Sequence, residues 1–142
     1  LNYINKPITF LEAKMNPDNL RYHSDHSWVR AEGKKAVVGI TDYAQGELGD
    51  IVYIEMPEKD AIVSVNQEIG ELESTKTTSP TLAPVSGKII EVNGELKDSP
   101  ELINKDPYGR GWILAIEMSN TKDLDQLMDA KGYEAFIKEG EK

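Results

Sequence analysis

The sequence predicts a mainly β domain with short helices, one N-proximal and others near the C-terminus. Short runs rich in β-branched and aromatic residues are the first indication, and residues 51–56, ended by Pro57, form the clearest predicted strand. Turn signals such as Asn93-Gly94 are the second. Strands and helices do not alternate along the chain, which argues against a parallel α/β sheet. The pattern leaves open whether the strands close into a barrel or pack as a sandwich.

The N-terminal half begins with a predicted hairpin and a short helix. Residues 28–31 and 36–40 flank the turn at Gly33, an arrangement typical of a hairpin. Thr41 and the residue after it offer side-chain oxygens that cap a helix through Leu48. A glycine follows directly and is expected to end that helix.

The second half contains two more predicted strands and the remaining helices. Residues 88–92 follow a Pro and Gly turn, and residues 112–118 place alternate side chains on one face (Trp112, Leu114, Ile116 and Met118). Ser99-Pro100 is a helix-start signal, with proline at the first helical position. Apolar residues at helical spacing predict helices over 123–128 and 131–139.

Length and composition indicate one domain. A chain of 142 residues is large enough to bury a core. Residues 1–14 have no strand or turn pattern, and we expect them to be an extension or cloning remnant outside a domain of residues 15–142. No stretch approaches the roughly 18 apolar residues of a membrane span, and the first residues lack a secretory-signal pattern. We therefore expect a cytoplasmic protein without a membrane partner, or one of the mitochondrial matrix if the source is eukaryotic.

Several classes of chemistry are disfavoured. The absence of cysteine excludes disulfides, thiolate catalysis and Cys-ligated metals, and a net charge of −9 argues against nucleic acid. His23 and His26 are three apart but have no third ligand nearby, so we expect no metal. The one Gly-x-Gly, at Gly109, precedes a predicted strand, whereas a phosphate loop needs a helix. The sequence gives no support for an enzyme.

Lys76 is the candidate functional residue. It is the only charged residue in the run STKTTS (74–79), at a predicted hairpin tip. A solvated surface lysine is the ordinary interpretation of such a residue. Acylation, however, needs a neutral amine, and adjacent carboxylates would keep the amine charged. Since its neighbours are Ser and Thr, we predict that Lys76 carries a prosthetic group that supplies the chemistry.

The ordered motifs of the chain resemble those of the glycine cleavage system H protein family over about residues 20–138. They are GITDYAQ (39–45), LGDIVY (48–53), EMP (55–57), ESTK (73–76), PVSG (84–87), EVN (91–93), DSPELIN (98–104) and DPYG (106–109) followed by GW (111–112). Each motif is weak alone, but the ordered set is specific.

This resemblance implies a lipoyl-domain-like barrel-sandwich hybrid of two antiparallel sheets. It also implies lipoic acid in amide linkage to Lys76, with Glu73 and Ser74 in the attachment motif and Gly70 shaping the backbone near the arm. The implied partners are glycine decarboxylase (P protein), aminomethyltransferase (T protein) and dihydrolipoyl dehydrogenase (L protein). A lipoate ligase or a lipoyl/octanoyl transferase would attach the group. The carrier would take the aminomethyl group of glycine from the P protein to the T protein, and the dehydrogenase would then reoxidise it.

The chain also departs from the family pattern. Thr75 and Thr77 replace apolar residues beside the lysine. Ser27 and Pro80 stand where the family has acidic residues that hold the loaded arm in a cleft. We expect Ser27, or Asp25 beside it, to serve that cleft here. The alternatives are an H-like carrier for lipoate synthesis and relay, or for a sulfur-oxidising heterodisulfide-reductase-like system. A biotin carrier, whose lysine sits between methionines, ranks last.

Overall fold

Two antiparallel sheets form the body of the molecule. The computed structural model describes residues 16–140, so the predicted extension over residues 1–14 lies outside the described residues. The larger sheet has six strands in the order β1-β2-β3-β9-β8-β5, and the smaller has three in the order β4-β6-β7. The strands are β1 Arg21–Tyr22, β2 Ser27–Glu32, β3 Lys35–Ile40, β4 Ile51–Glu55, β5 Ile62–Val63, β6 Glu68–Ser74, β7 Thr78–Leu82, β8 Gly87–Val92 and β9 Leu114–Met118.

Short helices connect and flank the sheets. They are α1 Asp42–Leu48, α2 Glu95–Asp98, α3 Leu102–Lys105 and α4 Ala130–Gly140, with a 3₁₀ helix over Thr121–Gln126. Thr41 caps α1 by accepting a hydrogen bond from the Ala44 N–H, and the Gly49 N–H bonds the Gln45 carbonyl at the other end. Among the described residues, no helix is both long and apolar enough to cross a membrane.

The core divides into a main cluster between the two sheets and a smaller aromatic cluster. In the main cluster Ile54 and Leu72 from the small sheet meet Val38, Ile89 and Ile116 from the large one. In the second, Trp28 and Tyr22 are fully buried against Tyr133 of α4, and the Tyr22 and Tyr133 rings stack at 4.7 Å. The first cluster fixes one sheet on the other, and the second fixes α4 on the outer side of the large sheet.

The predicted first hairpin, the first helix, the clearest strand and the last helix are confirmed within one or two residues. Three predictions from the sequence differ from the structure. Trp112 precedes β9 and packs with the aromatic cluster, whereas Leu114, Ile116 and Met118 lie in the main core. Residues 121–126 form a 3₁₀ helix where an α-helix is expected over 123–128, and the helix after Pro100 begins only at Leu102. Strand β7, which contains Pro80, is an edge strand, where a missing N–H is tolerated.

Candidate functional site

The β6–β7 hairpin presents Lys76 at its tip, with the lysine exposed. Ser74 organises the turn, since its hydroxyl accepts hydrogen bonds from the Lys76 N–H at 3.2 Å and the Thr77 N–H at 3.1 Å. The Ser74 N–H in turn bonds the Thr77 carbonyl at 2.8 Å. Only 7 % of Ser74 is exposed, so this side chain supports the turn from beneath. The tip is therefore a defined turn with a solvent-facing amine.

A second set of contacts fixes the tip on the segment between α1 and β4. The Thr75 N–H donates to the Asp50 carbonyl at 3.0 Å. The stem of Lys76 runs beside Gly49, where an added Cβ would lie 3.5 Å from Lys76 Cε. Gly49 has a φ of 84°, which favours glycine, and it follows the last residue of α1. The lysine stem thus leaves the hairpin across the C-terminal end of α1.

Asn104 holds that connecting segment in place. Its amide nitrogen donates to the Gly49 carbonyl and to Gln45 Oε1, both at 2.9 Å, and its Oδ1 accepts from the Ile51 N–H at 2.9 Å. Asn104 is not among the site residues predicted from the sequence, although it ends the DSPELIN motif. A polar side chain within a short helix of that motif was the available signal.

A cleft of about 240 Å³ opens between α1 and the inner face of the β6–β7 hairpin. Its walls are mostly apolar, and Leu48 of α1 lines it one residue before Gly49. The lining also includes Val38, Ile40, Ile69, Leu72, Pro80 and Leu82. Polar side chains of the lining include Asp25, His26 and Ser27, and Glu47 of α1 adds a second carboxylate. An apolar arm that entered this cleft would meet mostly apolar walls and two carboxylates.

The Asp25 carboxylate is held by its neighbours through one oxygen. Oδ1 accepts from the Ser27 N–H at 3.0 Å and the Ser27 hydroxyl at 2.6 Å, and it lies 2.9 Å from His23 Nδ1. Burial acts to raise the pKa of Asp25, but the hydrogen bonds from His23 and Ser27 outweigh it and lower that pKa. Within residues 16–140, Oδ2 has no hydrogen-bond donor, so it can receive an incoming cation.

The two histidines of this region have different partners. The hydrogen bond with Asp25 raises the pKa of His23 despite its burial, and His23 Nε2 lies 2.6 Å from Asn66 Oδ1. His26 Nδ1 lies 2.7 Å from the Tyr133 hydroxyl, and burial lowers the pKa of His26. The first histidine supports the Asp25 carboxylate, whereas the second links the cleft wall to α4.

The remaining predicted site residues lie on β6. Glu73 is exposed on the outer face of the small sheet, opposite Tyr53 and Thr78. Gly70 lies six residues from the lysine, where an added Cβ would come within 2.2 Å of the Glu55 carbonyl oxygen. The structure therefore brings Lys76 and Ser74 together at the tip, with Glu73 beside them, and places Gly70 against the backbone of β4.

Comparisons with known proteins agree with this geometry. A sequence profile described as glycine cleavage H-protein matches residues 20–140. The chain is 54 % identical over 123 residues to the glycine cleavage system H protein of Brevibacillus brevis, with 87 % of this chain and 98 % of that protein covered. For the same protein of Symbiobacterium thermophilum the identity is 52 % over 124 residues, with 87 % and 97 % covered. A crystal structure of a glycine cleavage system H protein from Mycobacterium marinum superposes with a TM-score of 0.79 at 38 % identity, covering 86 % of this chain and 98 % of that one.

A two-sheet scaffold that presents an exposed lysine on a hairpin tip, with an apolar cleft in the same domain, is suited to a carrier of a covalently attached group. The chain belongs to the glycine cleavage H-protein family. It is accordingly a lipoyl carrier of the glycine cleavage system that catalyses no reaction itself, and the family carries its lipoate on a lysine.

Proposed function

We propose that Lys76 is the lysine that receives the lipoyl group. The observation that carries the proposal is the tip itself, where Lys76 is exposed on a turn fixed by Ser74 and by the Asp50 carbonyl. No residue from 74 to 79 other than Lys76 is charged. The turn itself therefore contains no carboxylate that could pair with the amine.

The residues of the cleft fit such an arm. Leu48, Leu72 and Leu82 offer apolar contact to an aliphatic chain, which favours a resting position out of water. When bound, lipoate supplies a disulfide that opens to accept a one-carbon unit and is later reoxidised. The Asp25 carboxylate attracts the protonated amine that arrives with this unit, and Ser27 fixes the carboxylate from the position where the family has an acid.

The partners follow from this role. We assign the glycine decarboxylase (P protein), the aminomethyltransferase (T protein) and dihydrolipoyl dehydrogenase (L protein) as the enzymes the arm visits. A lipoate ligase or a lipoyl/octanoyl transferase attaches the group. The named relatives are bacterial, which favours the cytoplasm over a mitochondrial matrix.

A reconstituted glycine decarboxylase assay tests the proposal. The lipoylated wild-type chain should support exchange of bicarbonate with the carboxyl carbon of glycine, and Lys76→Arg should abolish it while the free energy of unfolding changes by less than about 0.5 kcal/mol. Asp25→Asn should keep normal lipoylation but lower the exchange rate. Exchange by the Lys76→Arg variant would refute the assignment.

The same assay separates the other lipoyl carriers. One observation favours these other carriers: Ser27 and Pro80 stand where the family has two acidic residues. A chain that is lipoylated on Lys76 yet inactive with the decarboxylase would assign it to lipoate relay or to a sulfur-oxidising system instead.

A further inference from the structure

Strand β4 contains an irregularity beside the tip that brings two large apolar side chains into solvent. Ile51 pairs with Ser74 and Tyr53 pairs with Glu73, so Val52 is an extra residue in the β4 strand. Such a bulge turns both of its residues towards the same side of the sheet. Val52 is 50 % exposed and Tyr53 is 56 % exposed.

These two side chains lie next to the Lys76 tip. The Asp50 carbonyl, two residues before Val52, accepts the hydrogen bond from the Thr75 N–H. Tyr53 lies opposite Glu73, three residues before the lysine. Any protein surface that closes over the Lys76 amine from this side must contact the bulge pair, Val52 and Tyr53. Tyrosine is enriched among the residues that contribute most to binding at the centre of a protein interface.

Three glutamates lie around the bulge pair on β4 and β6. Glu73 lies directly opposite Tyr53 on the neighbouring strand. Glu55 lies directly opposite Glu71, two residues further along β4. Like charges opposite each other across strands destabilise a sheet. Within the described chain none of the three glutamates forms an ion pair. A partner with basic side chains would relieve this repulsion and be attracted to the tip.

The length of the arm decides which partner uses this surface. An enzyme that acylates Lys76 must bring its active site to the nitrogen itself, at the end of a four-carbon stem. The reactive end of a loaded arm lies far from the turn, so an enzyme that acts there has no need to cover the turn. We propose that Val52, Tyr53 and the surrounding glutamates form the docking surface for the lipoate-attaching enzyme, which offers an apolar socket with a basic rim. This inference rests on Lys76 being the acylated residue.

The chemistry at this interface is amide formation. The neutral Lys76 Nζ attacks the carbonyl carbon of a lipoyl adenylate, so that a C–N bond forms as the bond to the adenylate oxygen breaks. AMP leaves, one proton passes from the nitrogen to solvent, and no electrons are exchanged. The docking surface contributes by holding the enzyme over the tip, so its loss raises KM more than it lowers kcat.

The test is the rate of lipoylation by a lipoate ligase with lipoic acid, ATP and Mg²⁺, followed by intact mass at limiting ligase. We expect Tyr53→Ser and Val52→Ser each to lower kcat/KM at least about fivefold, mainly through KM. Ile62→Ser is the matched control, because Ile62 is also an exposed strand residue, at 73 %, on the other sheet. The kcat/KM of Ile62→Ser for lipoylation should match that of the wild type.

Glu71→Gln provides a second signature. Because it removes the repulsion with Glu55, it should raise the melting temperature while it lowers kcat/KM for lipoylation at low salt. If Glu71 had only a structural role, its substitution would not raise the melting temperature and lower kcat/KM at the same time.

Rates within twofold of wild type for both bulge variants would overturn the inference. So would normal lipoylation combined with a raised KM for the decarboxylase, since the surface would then serve that enzyme. Fully lipoylated Tyr53→Ser should show a normal KM for the decarboxylase. Absence of any adduct on wild-type Lys76 would instead refute the proposed function, which keeps the two failures distinct.

Discussion

Asp25 brings negative charge to the cleft from a position two residues before Ser27. Three hydrogen bonds converge on its Oδ1, from His23 and from the backbone and hydroxyl of Ser27. This arrangement orients the carboxylate while Oδ2 is left for the cleft. Ser27 therefore contributes to the charge of the cleft indirectly, because it fixes the carboxylate of Asp25.

The pair of His23 and Asp25 predicts a pH dependence of stability. The pKa of His23 is raised in the folded state, so its contribution is complete below the unfolded value near 6.5 and is lost as pH rises through the folded pKa. The pKa of Asp25 is lowered, so its contribution is lost only as pH falls through that low folded value. Urea unfolding should show His23→Gln to be less stable than wild type by a margin that shrinks as the pH rises above about 6.5.

His26 provides the control of opposite sign. Burial lowers its pKa, so protonation of His26 opposes folding and stability from this group falls as pH decreases below about 6.5. The variant His26→Gln lacks this titrating group. Its stability relative to wild type should therefore improve as the pH falls below about 6.5. A margin for His23→Gln that stays constant with pH would contradict the proposed ion pair.

Single residues of the site differ in how far the sequence predicts them. Lys76 can be proposed from the sequence because its neighbours are small and uncharged, and Asp25 because it lies two residues before Ser27, where the resemblance led us to look for an acid. Asn104 is not, because its three bonds reach Gln45, Gly49 and Ile51, which are more than fifty residues away. Contacts of this kind depend on the fold and leave no local pattern.

At the scale of elements, the small sheet depends on close contact between β4 and β6. A Cβ on Gly70 would clash with the Glu55 carbonyl oxygen, and because backbone cannot move aside cheaply, Gly70→Ala should lower the free energy of unfolding by at least about 2 kcal/mol. Gly46→Ala is the matched control. Gly46 lies inside α1 with nothing within 4 Å of an added Cβ, and this change should stabilise by about 0.5–1 kcal/mol. Equal effects in denaturant titrations would contradict the account.

The α1–β4 connection supports the tip, and Asn104 tests it. Asn104→Ala removes the bonds to the Gly49 carbonyl, Gln45 and the Ile51 N–H, so we expect a loss of about 2 kcal/mol in stability and slower lipoylation of Lys76. Gln45→Ala removes only one of these bonds and should cost less than about 1 kcal/mol. Lipoylation at the wild-type rate by a stably folded Asn104→Ala would show that the connection does not position the tip.

Elements with a strong local pattern are the ones the sequence predicts. Thr41 and Gly49 mark both ends of α1, and Gly33, with a φ of 64°, marks the first hairpin turn. Strand β7 is harder to predict, because Pro80 and the polar residues around it lack a strand pattern, and its position comes from pairing with β6. The bulge at Val52 is likewise set by the pairing register, which one strand alone does not reveal.

The whole molecule carries a formal net charge of −9, and part of this charge surrounds the tip. A field of this sign steers basic partners, and salt weakens it over distances of about 10 Å at 0.1 M. Raising NaCl from about 50 mM to about 500 mM should therefore lower kcat/KM for lipoylation several-fold. Activation of free lipoic acid by the same ligase should change little, and a Glu55→Gln/Glu71→Gln variant should show a shallower salt dependence. An equal salt dependence for both chains would place the steering charge elsewhere.

In the molecule as a whole, the packed core and the exposed hairpin tip are separate regions. Two core clusters hold the sheets and α4 together, and Lys76, the residue we propose to carry the lipoyl group, lies beyond them on an exposed hairpin tip. The sequence predicts the mainly β class, but the pattern alone leaves barrel and sandwich open. Sheet order is decided by long-range pairings such as β3 with β9.

The most direct test of the account is peptide mass mapping after incubation of the chain with a lipoate ligase, lipoic acid and ATP. The account predicts one lipoyl adduct, located on the peptide that contains Lys76, and no adduct in Lys76→Arg. An adduct on a different lysine, or an unmodified Lys76 in a chain that is otherwise folded, would contradict it.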